Sequence, residues 1–180
     1  MQPQAILIET PRLLLKAYGP EAIQFMFENF SKAQTMRELG HADEKEYTLE
    51  LYKVQNGYAA YNRTFLMFFL VTKENNHIIG RCGLHNWNKE HRRAEIGYHI
   101  GIESYKRKGY MTEAVEAIIK YGFETLNLNR IEALTSDKNT ASVKVIEGRG
   151  LQKKGDCANI ISLVKRTKIP SCTVCCRKNM

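Results

Sequence analysis

Between Arg93 and Glu124 the hydrophobic period changes from two residues to about three and a half, and that change decides most of what the chain can fold into. Ala94, Ile96, Tyr98 and Ile100 fall on one face of an extended segment, with Glu95, Gly97, His99 and Gly101 on the other. After a basic turn, Met111, Ala114, Val115, Ile118 and Tyr121/Gly122 recur at helical spacing. A strand over 93–102 therefore runs through Tyr105-Lys106-Arg107-Lys108-Gly109 into a helix reaching Glu124. The opening of a helix carries backbone N–H groups without partners and partial positive charge, so it can hold an oxyanion without any special side chain. Gly109 allows close approach to the backbone, and three consecutive cations stand beside it. The expectation is a phosphate-bearing ligand on Lys106, Arg107, Lys108, Gly109, Tyr110, Met111 and Thr112. No Gly-Lys-Ser/Thr occurs there, which excludes the phosphate loop of nucleotide hydrolases.

The remaining pattern predicts a mixed α/β (α+β) domain. Residues 6–16 read as an edge strand interrupted by Pro11. Gly19-Pro20 opens a helix, and Tyr47, Leu51, Val54 and Tyr58 predict a second over about 44–60. The runs 65–72 and 77–84 form a hairpin around the polar turn 73–76. A further strand is expected at 130–135 and a short helix at 139–147. Residues 1–151 read as one domain, with 152–180 an atypical basic, Cys-containing C-terminal segment of the same domain.

Charge is unevenly placed. The net value is +8, yet residues 150–180 hold seven Lys/Arg against one acid, Asp156, so the body is nearly neutral. That argues against a fold presenting a broad basic face to nucleic acid. Five cysteines, four of them beyond residue 156, form neither an even disulfide framework nor the two ligand pairs of a tetrahedral zinc site. No metal is expected. The longest apolar run, 65–71, is strand-sized, and no secretory leader is evident, so a cytoplasmic protein without membrane contact is expected.

Three segments in order carry a resemblance: Ala94-Glu-Ile-Gly-Tyr98, Lys108-Gly109-Tyr110-Met111-Thr-Glu-Ala114, and Ser136-Asp-Lys-Asn139-Thr-Ala-Ser142 followed by Gly150-Leu151. Together with Glu9-Thr-Pro-Arg12-Leu-Leu-Leu they resemble the GNAT superfamily of acetyl-CoA-dependent N-acetyltransferases, in the branch related to ribosomal-protein N-terminal (alanine) acetyltransferases. The resemblance implies a central, mostly antiparallel twisted sheet splayed between its fourth and fifth strands, with helices on both faces. It implies acetyl-CoA as co-substrate, held by Ile96, Gly97 and Tyr98 in the splay, by the turn 106–112, and by Asn139 and Ser142. The family's phosphate motif is Gln/Arg-x-x-Gly-x-Gly/Ala. Here Lys106 and Met111 occupy its outer positions, and Met111 is expected to crowd the pyrophosphate.

Acetyl transfer needs a neutral amine, a stabilised oxyanion and a proton for the departing thiolate. Neutralising a lysine side chain at pH 7 costs roughly 4.6 kcal/mol, an α-amino group only about 1.1 kcal/mol. A weak base suffices for the latter. Glu95 is the candidate base, with His99 on the same face. A backbone N–H near Tyr98 would meet the oxyanion. Many members place a tyrosine seven residues after the Asn; this chain has Ile146 there, and the related branch implies Ser142 as the acid instead. The acceptor is expected to be a protein N-terminal α-amine or a small-molecule amine. A ribosomal protein and a homodimer are partners the resemblance admits. Two other readings remain open: a CoA-binding module of little catalytic power, and a ribosome or nucleic-acid contact through the basic tail. After Glu147 the chain departs from the family pattern, and beyond Cys157 it shows no aromatic residue and no hairpin signal.

Overall fold

The computed structural model describes residues 5–57, 64–136, 139–147, 152–153 and 160–164. The chain enters as two strands, β1 (Ile6–Glu9) and β2 (Leu13–Tyr18), where one interrupted strand was expected. Pro11 lacks an amide hydrogen to donate and ends the first strand. Thr10 N bonds Leu13 O at 2.9 Å, so the chain reverses and β2 pairs antiparallel with β1. Of these two strands, β1 lies at an edge of the sheet and β2 lies inside it. Three helices follow: α1 (Pro20–Asn29), α2 (Lys32–Leu39) and α3 (Glu44–Gln55).

The sequence reading missed α2, a short, polar helix, although Ser31 and Gln34 form a reciprocal capping box at its start. It also carried α3 too far. That helix ends at Gln55, and residues 58–60 lie outside the described ones. The hairpin is β3 (Thr64–Thr72) and β4 (Ile78–Asn88). Then come β5 (Arg93–Ile100), α4 (Tyr110–Glu124), β6 (Arg130–Leu134), α5 (Thr140–Glu147), β7 (Gln152–Lys153) and β8 (Ile160–Val164).

Among the described residues the strands form one sheet in the order β1-β2-β3-β4-β5-β6-β8-β7, antiparallel throughout except for β5 and β6. β7 and β8 pair antiparallel and β8 closes against β6, so a C-terminal hairpin exists where no hairpin signal was read from the sequence. Its sequence signal is Ile160-Ile-Ser-Leu-Val164, β-branched and apolar but without aromatics. Residues 165–180, with Cys172, Cys175 and Cys176, fall outside the described residues, as does Cys157; Cys82 is buried in the core.

Each face of the sheet has its own core. On one, Leu13, Leu15, Phe68, Leu70, Leu84 and Ile96 pack against Met111, Ala114, Val115 and Ile118 of α4. Burying each large aliphatic side chain contributes roughly 1.5–3 kcal/mol. On the other, Tyr18 and Phe69 pack against Ile23, Met26 and Leu39 from α1 and α2. Helices on both faces of the sheet match the expectation. No helix among the described residues is long and apolar enough to cross a membrane.

Candidate active site between the two faces of the sheet

β5 is where the two faces communicate. It pairs with β4 along most of its length, from Ile100↔Gly80 to Arg93↔Asn88. With β6 it pairs only at Arg93↔Arg130, Ala94↔Ile131 and Glu95↔Glu132. Glu132, buried at that closed end, binds Arg93 at 3.3 Å and also Arg130. From Ile96 onward β5 has no strand beside it on that edge among the described residues. This is the expected splay. It falls between the fifth and sixth strands as numbered here because Pro11 divides the first.

The turn before α4 is built from backbone. Arg107 and Gly109 both adopt the left-handed conformation, at φ 60° and 81°. Lys106 N bonds Glu103 O, and Glu113 N bonds Gly109 O at 3.1 Å. The amides of residues 107–112 between them have no protein partner among the described residues. Six donors therefore face outward at the positive end of a fifteen-residue helix, the arrangement that binds an oxyanion.

Side chains brace this turn from behind. Glu113 Oε1 accepts from the Thr10 hydroxyl at 2.6 Å and the Arg12 amide at 2.8 Å, and Oε2 accepts from Arg12 Nε at 2.7 Å. Arg12 also donates to Lys108 O at 3.0 Å and lies 4.3 Å from the Tyr110 ring centre. Burial alone would raise the Glu113 carboxyl, but these bonds and the Arg12 charge hold it below its ordinary value. The Glu9–Leu15 segment singled out in the sequence thus acts on the turn through Thr10 and Arg12. Lys106 is paired with Glu103 at 2.6 Å. Met111 is 7% exposed within the core, so it does not crowd the outer surface of the turn as expected.

Ser142 and Tyr98 meet across the splay. Ser142 Oγ donates to Tyr98 Oη at 3.0 Å, and Tyr98 Oη donates to Ser142 O at 3.2 Å. Burial raises the Tyr98 phenol, with the Ser142 bond opposing, so it stays protonated as a donor. Asn139 Oδ1 accepts from Ser142 N at 3.1 Å and caps α5. Ser142 is therefore no cap; its hydroxyl belongs to the Tyr98 pair.

On the opposite face of β5 the histidine beside Glu95 is His85, not the His99 singled out in the sequence. Glu95 Oε2 lies 3.3 Å from Nε2 of His85, which stands directly across on β4. His99, four residues further along the same face of β5, is exposed and stands across from Arg81. An added Cβ on Gly97 would lie 2.7 Å from His85 Cε1, so Gly97 makes room for that ring. The missing signal was strand register, which sequence alone left open.

Beyond His85 lies a cavity of about 270 Å³ under α1, α2 and α3. Ile23, Leu39, Phe65, Met67 and Phe69 make its apolar wall, and His41, Glu50, Lys53 and Arg81 its polar side. Gly40, left-handed at φ 59°, ends α2 and turns the chain into His41. His41 is 8% exposed, and neither ring nitrogen has a hydrogen-bond partner among the described residues. Burial first, and then the Arg81 charge, lower its pKa, so the ring is neutral. No cluster of metal-ligating side chains is present among the described residues.

Comparison with known proteins agrees with this geometry. An acetyltransferase (GNAT) domain model matches residues 12–152. An uncharacterized N-acetyltransferase, p20, of Bacillus licheniformis is 44% identical over 88 residues, 49% of each chain, so that match spans about half of the relative's length. The uncharacterized N-acetyltransferase YoaA of Bacillus subtilis is 30% identical over 150 residues, 83% of this chain and 84% of that one. Among solved structures, a putative ribosomal-protein-serine acetyltransferase from Vibrio cholerae superimposes with a TM-score of 0.62 at 19% identity, covering 91% of this chain and 99% of that one. Spermidine N-acetyltransferase from the same organism, in complex with CoA and spermine, gives 0.59 at 19% identity, covering 86% and 96%. At that identity the two structures establish the shared fold.

Proposed function

The chain belongs to the GNAT acetyltransferase family, and from that premise we propose that it transfers an acetyl group from acetyl-CoA directly to a primary amine, a protein N-terminal α-amine or a small-molecule amine. The observation that carries this reading is the row of unpartnered amides at 107–112 beside the open edge of β5. They fit a diphosphate, and the opening beyond Glu95 fits a narrow acyl-bearing arm.

When bound, acetyl-CoA supplies an acyl thioester. The chain's own residues then divide the work between the faces of β5. On the acceptor side Glu95, with His85 beside it, takes the proton that an ammonium group must lose before it attacks. A backbone N–H near Tyr98 offers a fixed dipole to the developing oxyanion. On the other side Ser142 turns its hydroxyl hydrogen from Tyr98 Oη to the departing sulfur as the N–C bond forms and the C–S bond breaks, and the second proton shed by the nitrogen makes good the one passed to the sulfur. Ile146, at the position where many family members carry a tyrosine, is buried in the core and offers no proton.

The test is thiol release from acetyl-CoA over a panel of amines, for the wild type and Ser142→Ala. Loss of a positioned acid is expected to lower kcat roughly 10- to 100-fold, at the modest end for such groups because a thiol of pKa near 8.5 leaves readily. CoA affinity should stay within about twofold. CoA binding with no thiol release on any amine would overturn the enzyme reading in favour of a CoA-binding module.

A further inference from the structure

Resting on the acetyl-transfer reading, we infer that the cavity under α1–α3 takes a small-molecule acceptor with an amine at one end and a carboxylate at the other, several carbons apart, and that Arg81 and His41 hold the carboxylate. Strand pairing lays out the floor in three rungs. His85 stands against Glu95, Gly83 against Gly97 and Arg81 against His99, all on one face of the sheet. His85, Met67, Phe69 and Arg81 line the cavity above that floor.

The amine belongs at the first rung, where the proposed base Glu95 lies 3.3 Å from His85. The middle rung raises no side chain of its own. Only the flexible Met67 lies close over Gly83, its Sδ 3.0 Å from where a Cβ would stand. The third rung is distant: four residues of extended strand put Arg81 about 13 Å from His85. An acid group on the carbon next to the amine therefore stays at the first rung. An acid on a longer aliphatic chain, laid against Met67 and Phe69, comes within reach of the Arg81 side chain.

Charge marks that far end for an anion. Among the described residues lining the cavity, Lys53, Arg81 and Glu50 are the fully charged groups. Lys53 and Glu50 pair with each other at 3.3 Å, which leaves Arg81 in surplus. Its partner Glu46 lies 3.3 Å away outside the lining and is 48% exposed, a surface pair worth at most about 1 kcal/mol. That bond engages Nη2 alone, so the rest of the guanidinium fork is left to meet a carboxylate. His41 belongs to the same end, since of the charges around it that of Arg81 acts on it most strongly. Its buried ring has an N–H donor with no acceptor among the described residues, an arrangement proteins ordinarily avoid. A carboxylate satisfies both groups. A second ammonium, as in a polyamine, would instead confront Arg81.

The experiment measures kcat/KM for thiol release from acetyl-CoA with 5-aminopentanoate, its neutral twin 5-aminopentanamide, glycine and spermidine. The two five-carbon compounds share a body and nearly the same amine basicity, so the cost of neutralising the amine cancels in their ratio. The wild type should prefer the acid about 30-fold, and Arg81→Gln should lower that acid/amide ratio about tenfold, as for a charge-assisted hydrogen bond. Arg81→Lys, which keeps the charge without the fork, should restore part of it. His41→Phe should lower the ratio about fivefold, roughly the worth of one hydrogen bond. A wild-type ratio near one, a ratio unchanged in Arg81→Gln, or glycine or spermidine as the best of the four would overturn the inference. If no amine is turned over, the acetyl-transfer reading fails by itself. Calorimetry with the CoA-loaded protein then decides this one. Binding of 5-aminopentanoate weakened by Arg81→Gln supports it; no binding, or binding the substitution leaves unchanged, overturns it.

Discussion

The two sides of β5 are built by different means. The turn before α4 is a few consecutive residues whose backbone amides point outward, and its geometry is set by two left-handed residues, Arg107 and Gly109. The cavity on the other side is made of side chains from α1, the end of α2, α3, β3 and β4, which span Ile23 to Asn86 in the chain. A site made of backbone tolerates changes of side chain, which is why Lys106 and Met111 depart from the family motif while the six outward amides persist. A site made of side chains has no such tolerance.

The sharpest way to break this comparison is to attack the turn through its backbone. Gly109→Glu forces a side chain into a left-handed position at φ 81° and sets a carboxylate beside the bound diphosphate. CoA affinity should fall about 100-fold or more, near 2.7 kcal/mol, measured by calorimetry. Gly109→Ala keeps the backbone strain without the charge and should lose less. An unchanged affinity in Gly109→Glu would mean that the amides of 107–112 do not hold the ligand.

The same contrast explains what the sequence made legible. The turn, the period change around it and Gly97 are local, so they could be read directly, and the splay followed from the resemblance. Errors arose wherever a contact depends on register or on distant packing. Glu95 was a candidate base in the sequence, and the histidine beside it is His85 rather than His99 because strand pairing places residue 85 opposite residue 95. Met111 already fell on the apolar stripe of α4 in the sequence, and its burial in the core takes it off the outer surface of the turn. His41 carried no signal at all. It sits after a left-handed Gly40 at the end of a helix that the polar sequence of α2 concealed. The closing hairpin was overlooked because aromatic residues were sought where β-branched ones do the pairing.

A milder test asks whether the turn depends on side chains after all. Glu113→Gln keeps an oxygen for Thr10 and the Arg12 amide but loses the charge that Arg12 Nε meets. Stability at pH 7 should drop about 1.5 kcal/mol, as expected for charge-assisted hydrogen bonds, in denaturant titrations. The native carboxyl is held below its ordinary value, so its contribution is complete above the unfolded pKa of about 4.3 and fades as pH falls through the lowered native one. Wild type and variant should therefore converge in acid. CoA affinity should change less than threefold. A loss as large as that of Gly109→Glu would show the brace, rather than the backbone, to be what holds the ligand.

The smallest expected effect comes from the other side of the strand. Gly97→Ala projects a methyl group 2.7 Å from His85 Cε1 and 3.2 Å from Nδ1, away from the Tyr98–Ser142 face. The ring is the movable end of a side chain, so it can turn aside, and in doing so it leaves Glu95. A contact in which His85 is 43% and Glu95 19% exposed is worth at most about 1 kcal/mol. The expected cost is about two- to fivefold in kcat/KM for the acceptor, with CoA affinity unchanged within twofold. The two faces of one glycine are then separable: a loss confined to the acceptor would place His85 in the amine's path, whereas an equal loss in CoA affinity would show that the methyl group acts by closing the gap to β6.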